Sequence, residues 1–278
     1  MRLTVLATAL AAPAAAGAAC LDDRAAAELA AAILAVVPAP APDVDGSLDD
    51  ALCSQAKLVA ALAEEWGPPV GYKAGLTSAA VQERFGATAP VRGVLLRDML
   101  LRDGATVPAD FGARPLFEAD LVVVVGDAAI NGAETPGEVA RHLSAVHPFI
   151  ELPDLVVAEG QPLDAAVVTA INVGARLGVL GREVPVVDPD AMAEALAVMT
   201  VILTDGGGAE IASAPGAAVL GHPLNAVTWL TDSGVTLAPG DLVSVGSIGP
   251  LVPPAPGLSV TATYEGLPGS PSVGVSFE

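Results

Sequence analysis

The spacing of apolar residues divides this chain in two, and in the first part it follows the turn of a helix. Residues 22 to 37 contain no internal Gly or Pro and open on Asp22 or Asp23, either of which can cap a helix. From Asp49 to Trp66, Leu52, Ala56, Val59 and Leu62 recur every three or four residues, which puts them on one helical face. Gly67-Pro68-Pro69 ends that helix. Between the two, Pro38-Ala39-Pro40-Ala41-Pro42 predicts a short, stiff, exposed connector.

Beyond residue 70 the apolar runs shorten and are punctuated by Gly and Pro, as in a β-rich chain. Leu121-Val122-Val123-Val124-Val125 is continuous, which suits a strand covered on both faces. Thr135-Pro136-Gly137-Glu138 supplies an N-cap, a Pro at the first helical position and a Glu three residues after the cap. That helix is expected to run to about Val146 and to deliver the chain to Pro148-Phe149-Ile150-Glu151. Asp188-Pro189 starts another, through about Val198. Residues 200–204 and 210–213, joined through Asp205-Gly206-Gly207-Gly208, predict a hairpin. A short helix over 222–230 and strands over 242–245, 259–264 and 272–277 complete the pattern, the last two as another hairpin.

Aromatic residues are only 3% of the chain, so core volume must come from aliphatic side chains. With 12 basic and 32 acidic residues the formal charge is −20, which repels nucleic acid and anionic lipid and argues against a nucleic-acid partner. The first residues change the picture again. Arg2, an apolar stretch to Ala12, Pro13 and the small residues 14–19 have the layout of an export signal. The alternative is an alanine-rich N-terminal helix of a cytoplasmic protein. Lipidation of Cys20 is the less expected outcome, because Gly17 stands where a lipoprotein signal usually has Leu. In an exported, periplasmic chain Cys20 and Cys53 form an even pair and suggest a disulfide. No later apolar run is long enough to span a bilayer. The expected organisation is a signal over 1–19, a helical N-terminal part over 20–70 and a β-rich catalytic core over 71–278.

Candidate chemistry centres on Glu118-Ala119-Asp120 at the head of the apolar run, with Glu151 thirty-one residues beyond Asp120. In a strand Glu118 and Asp120 project side by side. Adjacent carboxylates repel unless a cation or a shared proton compensates them. Oxygen ligands without Cys or His suit a hard ion, Mg²⁺ or Mn²⁺. The plainer reading of acid-x-acid at a strand end is a solvated rim.

Gly71-Tyr72-Lys73-Ala74-Gly75-Leu76-Thr77-Ser78 resembles the lysine motif of the 2-keto-4-pentenoate hydratase group, within the fumarylacetoacetate hydrolase superfamily. Further segments fit in the same order: Gly93 to Met99, Phe117 to Leu121, Phe149 to Leu152, Leu220 to Leu230, and Pro239 to Leu242 followed by Gly246 to Pro250. The resemblance spans roughly residues 22 to 278. It implies an α+β fold, a mixed β-roll core with N-terminal helices packed against it, and commonly a homo-oligomer. It implies Mg²⁺ or Mn²⁺ held by Glu118, Asp120 and Glu151, with Lys73 as the catalytic residue facing a small-molecule 2-oxo acid. Such an acid chelates the ion through its carboxylate and 2-oxo oxygen, and the ion polarises the carbonyl. Charge that develops on that oxygen is stabilised by the ion and by Lys73.

The chain departs from the family's pattern at several places. Pro90-Val91-Arg92-Gly93 stands where the family has an acidic loop residue, and Val91 moves no protons. Ile171-Asn172-Val173-Gly174-Ala175-Arg176 keeps the family's Asn but not its serines, and Asp120 replaces the usual Glu. The resemblance places Asn172 and Ser247 on the substrate. Arg92 and Arg176 occupy loops that in the family face the pocket, where they could clamp a second carboxylate; the alternative is ordinary surface arginine. Three functions stay open: a hydratase acting on an unsaturated, possibly dicarboxylic, 2-oxo acid; another metal-dependent reaction on such an acid, such as decarboxylation or C–C hydrolysis; and a non-catalytic exported 2-oxo acid binding protein. A nucleophilic hydrolase has little support. Neither His142 nor His147 joins a recognisable Ser–His–Asp or Cys–His arrangement, and helix ends are expected to place both in solvent.

Overall fold

A computed structural model describes residues 20–44 and 47–278; the expected export segment lies outside the described residues. Among the described residues there are seven α-helices and thirteen strands. The N-terminal part holds α1 (Asp23–Leu34) and α2 (Leu48–Trp66). Asp22 caps α1 by accepting from the Ala25 N–H at 2.8 Å, and the helix stops before residue 37 because Val36 takes a left-handed φ of 57°. Cys20 and Cys53 are joined in a disulfide with Cα atoms 5.4 Å apart, which ties the start of α1 to α2. The Pro-Ala connector is not simply exposed. Ala39 is buried and bridges Val157 in parallel, donating its N–H to Val156 O at 2.9 Å and accepting from the Ala158 N–H at 2.7 Å.

The core follows as β1 (Pro69–Gly75), α3 (Ala79–Arg84), β2 (Val91–Leu96), β3 (Leu100–Arg102), β4 (Ala105–Val107), β5 (Glu118–Val125), α4 (Pro136–Ala140), β6 (Leu143–Leu152), α5 (Ala165–Ala170) and β7 (Leu177–Leu180). It continues through β8 (Val184–Pro185), α6 (Pro189–Val198), β9 (Thr200–Asp205), β10 (Glu210–Pro215), α7 (Asn225–Asp232), β11 (Leu242–Ser244), β12 (Ser259–Glu265) and β13 (Ser272–Phe277). One mixed sheet runs β2-β1-β11-β5-β6-β7-β3 with β8 added beside β6, and a second runs β10-β9-β12-β13-β4. The inward faces of both contribute to one core that includes Leu121, Val123, Ile150, Val260, Val275 and Phe277. A second core joins Leu29 and Ile33 of α1 and Leu58 and Leu62 of α2 to Leu96, Val157 and Ile171, and so fixes the helices against the larger sheet. Among the described residues no helix is long and apolar enough to cross a membrane.

Two expectations from sequence are corrected here. The capping box of α4 forms as expected, Thr135 and Glu138 each bonding the other's backbone N–H. The helix nevertheless ends at Ala140, because the following residues become β6. Pairing with β5 satisfies a row of backbone groups that would otherwise be buried without partners, and this outweighs local helix preference. His147 consequently does not sit at a helix end, whereas His142 follows the last turn of α4, its N–H donating to Val139 O at 3.0 Å. His142 lies in the turn with Nδ1 3.0 Å from Asp127 Oδ2, and His147 lies half-buried in β6 with Nδ1 2.9 Å from Gly181 O.

Candidate active site

Strand pairing assembles the site before any side chain is considered. Across the antiparallel β5–β6 pair Glu118 stands opposite Glu151, and Asp120 opposite Phe149. On the other side of β5, β11 sets Ser244 opposite Val122, and β1 sets Lys73 beside Ser244. Directly paired residues share a face, as do residues two apart in one strand. Lys73, Ser244, Asp120, Glu118 and Glu151 therefore project from the same face of the sheet. All five are buried, none more than 6% exposed.

Two glycines make this density possible. A Cβ on Gly93, the partner of Lys73 in β2, would lie 3.0 Å from Lys73 Cγ and 2.9 Å from Asn172 O. Gly246, at φ 105°, brings its N–H to Asp120 Oδ1 at 2.9 Å, where a Cβ would strike Thr77 at 2.6 Å.

Lys73 Nζ donates to Glu151 Oε1 and, at 3.1 Å, to Val173 O. Asp120 has both oxygens engaged: Oδ1 accepts from the Leu121 N–H at 2.6 Å and the Gly246 N–H, and Oδ2 accepts from Ser244 Oγ. Glu118 Oε2 and Glu151 Oε2, by contrast, are buried without any hydrogen-bond partner. Burial and then the Glu151 charge push the Glu118 carboxyl well above the usual carboxylate range; Lys73 opposes them and Asp120 adds to them. Burial and Glu151 likewise raise Asp120 to about 7, against the hydrogen bonds from Ser244 and Leu121.

Three carboxylates face one ammonium on this buried face, leaving two negative charges uncompensated. Such an excess requires protons or a cation. Among the described residues no three His, Cys, Asp or Glu side chains are already drawn into a cation cage, because Lys73 engages Glu151 and Asp120 turns to Ser244 and Gly246. The donor set nevertheless fits a hard divalent ion. All the donors are oxygens, two buried carboxylate oxygens are unused, and the missing charge equals that of the ion. Glu118 and Glu151 carry the free oxygens that would hold it.

A cavity of about 100 Å³ opens on this face, with Lys73, Glu118 and Ser247 among its walls. Other residues singled out from sequence lie elsewhere. Arg92 belongs to β2, and strand alternation turns it away from its neighbour Gly93, so its Nη1 donates to the carbonyl and hydroxyl of Ser233 after α7. Arg176 is buried at the seam with the N-terminal helices, donating to Ile33 O at 2.6 Å and lying 5.6 Å above the Trp66 ring. Asn172 spends its amide on β2, accepting from the Val94 N–H at 2.8 Å and donating to Val94 O at 2.9 Å. Val91 packs in an apolar cluster with Leu76, Val168 and Val173.

Sequence reasoning missed two contributors. Ser244 lies between Lys73 and Asp120, and only strand register reveals it. Tyr264, fully buried on β12 of the second sheet, puts its hydroxyl into the β5–β6 ladder. There it accepts from the Phe149 N–H at 3.0 Å and has the carbonyls of Asp120 and of Phe149, the latter at 2.8 Å, as acceptors.

Residues 73–269 match the fumarylacetoacetate (FAA) hydrolase C-terminal family. The chain belongs to that family. Over 203 residues this family member is 34% identical to 2-keto-4-pentenoate hydratase 2 of Dechloromonas aromatica (strain RCB), covering 71% of this chain and 75% of the relative. It is 32% identical over 194 residues to the TodF product hydratase of Pseudomonas putida (strain F1), covering 68% and 69%. A solved structure of 4-oxalocrotonate decarboxylase from Pseudomonas putida G7, complexed with magnesium and adipate, superposes with a TM-score of 0.78 at 26% identity, over 94% of this chain and all of that one. The mixed sheets and the N-terminal helices thus belong to the family's fold.

Proposed function

We propose that this protein is a metal-dependent hydro-lyase that adds water to an unsaturated 2-oxo acid. The observation that carries the reading is the buried face where Lys73 meets Glu151 beside the unpartnered oxygens of Glu118 and Glu151. The names of the hydratase relatives support it. So does the magnesium in the related decarboxylase.

A Mg²⁺ or Mn²⁺ ion held by Glu118 and Glu151, with Asp120 as the third carboxylate, supplies Lewis-acid polarisation of a 2-oxo group. Lys73 is the one cation on the cavity wall, and its Nζ is positioned to donate a proton or a hydrogen bond to the oxygen on which negative charge builds. Ser244 and the Gly246 N–H hold Asp120 in place. Thr77, Ser78 and Ser247 supply hydroxyls at the same cavity, which can orient the water. Val91 cannot take the proton-transfer role, so that role falls to Lys73 and Glu118, the titratable groups on the wall.

The whole-length similarity to a decarboxylase favours a second reading, loss of CO₂ from a vinylogous 2-oxo diacid on the same face. Mg²⁺-loaded full-length protein offered 2-hydroxypenta-2,4-dienoate should consume the diene absorbance and yield a 4-hydroxy-2-oxo acid by NMR, and Lys73→Met should stop it. CO₂ release from 2-oxohex-3-enedioate without hydration of the first compound would select the decarboxylase. Binding of both acids without turnover would leave a non-catalytic 2-oxo acid binder. We also propose that the chain is exported through residues 1–19, a reading supported by the Cys20–Cys53 disulfide, since such bonds persist in oxidising compartments.

A further inference from the structure

We infer that the site takes 2-oxo acids with a single carboxylate and an uncharged hydrocarbon tail, and discriminates against acids with a second carboxylate at the far end. The inference rests on the 2-oxo acid reading above and specifies its substrate. Much of the cavity wall beyond Lys73 and Glu118 is apolar, with Leu76, Val81, Phe85, Leu155, Val168 and Val173 its larger side chains. The polar side chains on the wall other than Lys73 and Glu118 are the hydroxyls of Thr77, Ser78 and Ser247. Lys73 is the wall's one cationic side chain, and it is already committed to Glu151 and Val173 O.

Other cations are turned elsewhere: Arg92 to Ser233, Arg176 to Ile33 and Trp66, and Arg84, over the Phe85 ring, is solvent-exposed and not part of the wall. His142, His147 and His222 bond Asp127, Gly181 and Ala193 instead. The first turn of α3 borders the cavity, but the Val81 N–H already donates to Ser78 Oγ. A distal carboxylate would therefore lose its water to aliphatic side chains with no cation to replace it, while a methyl or vinyl group would bury apolar surface there.

The test is calorimetric titration of the Mg²⁺-loaded full chain with pyruvate, 2-oxopentanoate and 2-oxoglutarate, the last two matched in length. The inference expects 2-oxopentanoate to bind at least as tightly as pyruvate, and 2-oxoglutarate at least tenfold more weakly than 2-oxopentanoate. Phe85→Arg, on the half-exposed rim, should bring 2-oxoglutarate to within about threefold of 2-oxopentanoate, and Val81→Lys gives a second chance to see the reversal if that variant folds poorly. Metal-dependent pyruvate binding with 2-oxoglutarate equal to or tighter than 2-oxopentanoate would overturn the inference and leave the 2-oxo acid reading intact. Failure of all three acids to bind would remove that reading, and the inference with it.

Discussion

Glu118 and Glu151 stand directly opposite each other across the β5–β6 pair, and each keeps one buried carboxylate oxygen without a hydrogen bond. Like charges directly opposed in a sheet are destabilising, and more so when buried. Their retention on the face that carries Lys73 is the structural basis for a cation there. Glu118→Gln should abolish Mg²⁺ binding while stabilising the metal-free protein, because it removes one of the opposed charges. Thermal unfolding in chelator checks the second part: a melting temperature at or above that of the unaltered protein is expected.

Protonation supplies a second prediction. The Asp120 carboxyl is raised from 3.8 to about 7, so between those values the folded metal-free state holds a proton that the unfolded chain has released. Its contribution to stability is fully present below 3.8 and is lost as the pH rises through about 7. A cation needs the deprotonated carboxylates, so its affinity should run the other way, rising with pH through about 7, with the raised Glu118 carboxyl adding to the dependence. Magnesium titrations from pH 5.5 to 8 (roughly the span around that value) measure this, and Asp120→Asn should reduce the dependence to the part that Glu118 contributes.

Tyr264 is a positioning residue on the second sheet. Tyr264→Phe leaves the buried Phe149 N–H without its acceptor and should cost roughly 1–3 kcal/mol in urea unfolding. Because the hydroxyl also meets the carbonyl of Asp120, the variant should weaken Mg²⁺ binding severalfold in protein that remains folded. Loss of stability with unchanged metal affinity would confine Tyr264 to the fold.

Asn172 separates a structural role from a substrate role. It holds a left-handed φ of 57° and both polar ends of its amide serve Val94. Asn172→Ala should therefore destabilise by about 2–4 kcal/mol. KM of the folded enzyme should change little; a raised KM at unchanged stability would put the amide on the substrate.

Reduction of Cys20–Cys53 opens a loop of sequence separation 33 and should cost about 3–4 kcal/mol by the chain-entropy relation. Urea midpoints with and without reductant measure it. Mg²⁺ affinity of the folded, reduced protein should not change, because the bond joins the N-terminal helices and not the strands of the site.

Signals that were local in the chain survived into the structure. The Asp22 cap, the Thr135–Glu138 box and the continuous run of β5 depend on a few neighbouring residues, and each forms. The acid-x-acid pattern with Glu151 could be read for the same reason, since alternation in β5 needs no knowledge of the partner strand. What the sequence hid is pairing. The helix expected to reach residue 146 gave way to β6 because β5 needed a partner. Arg92 pointed away from the pocket for a reason already legible in alternation with Gly93, whereas the contacts of Arg176 with Ile33 and Trp66 cross more than a hundred residues and leave no local trace. Ser244 and Tyr264 entered the site from strands more than ninety residues beyond Glu151, where no spacing rule could connect them.

The most direct test of the account is Mg²⁺ titration of the chelator-treated full chain by calorimetry, followed by pyruvate, beside Glu118→Gln. The account predicts that Mg²⁺ binds, that pyruvate binds only once Mg²⁺ is present, and that the variant loses both. An intact protein that binds no Mg²⁺ or Mn²⁺, or a variant that binds them undiminished, would contradict it.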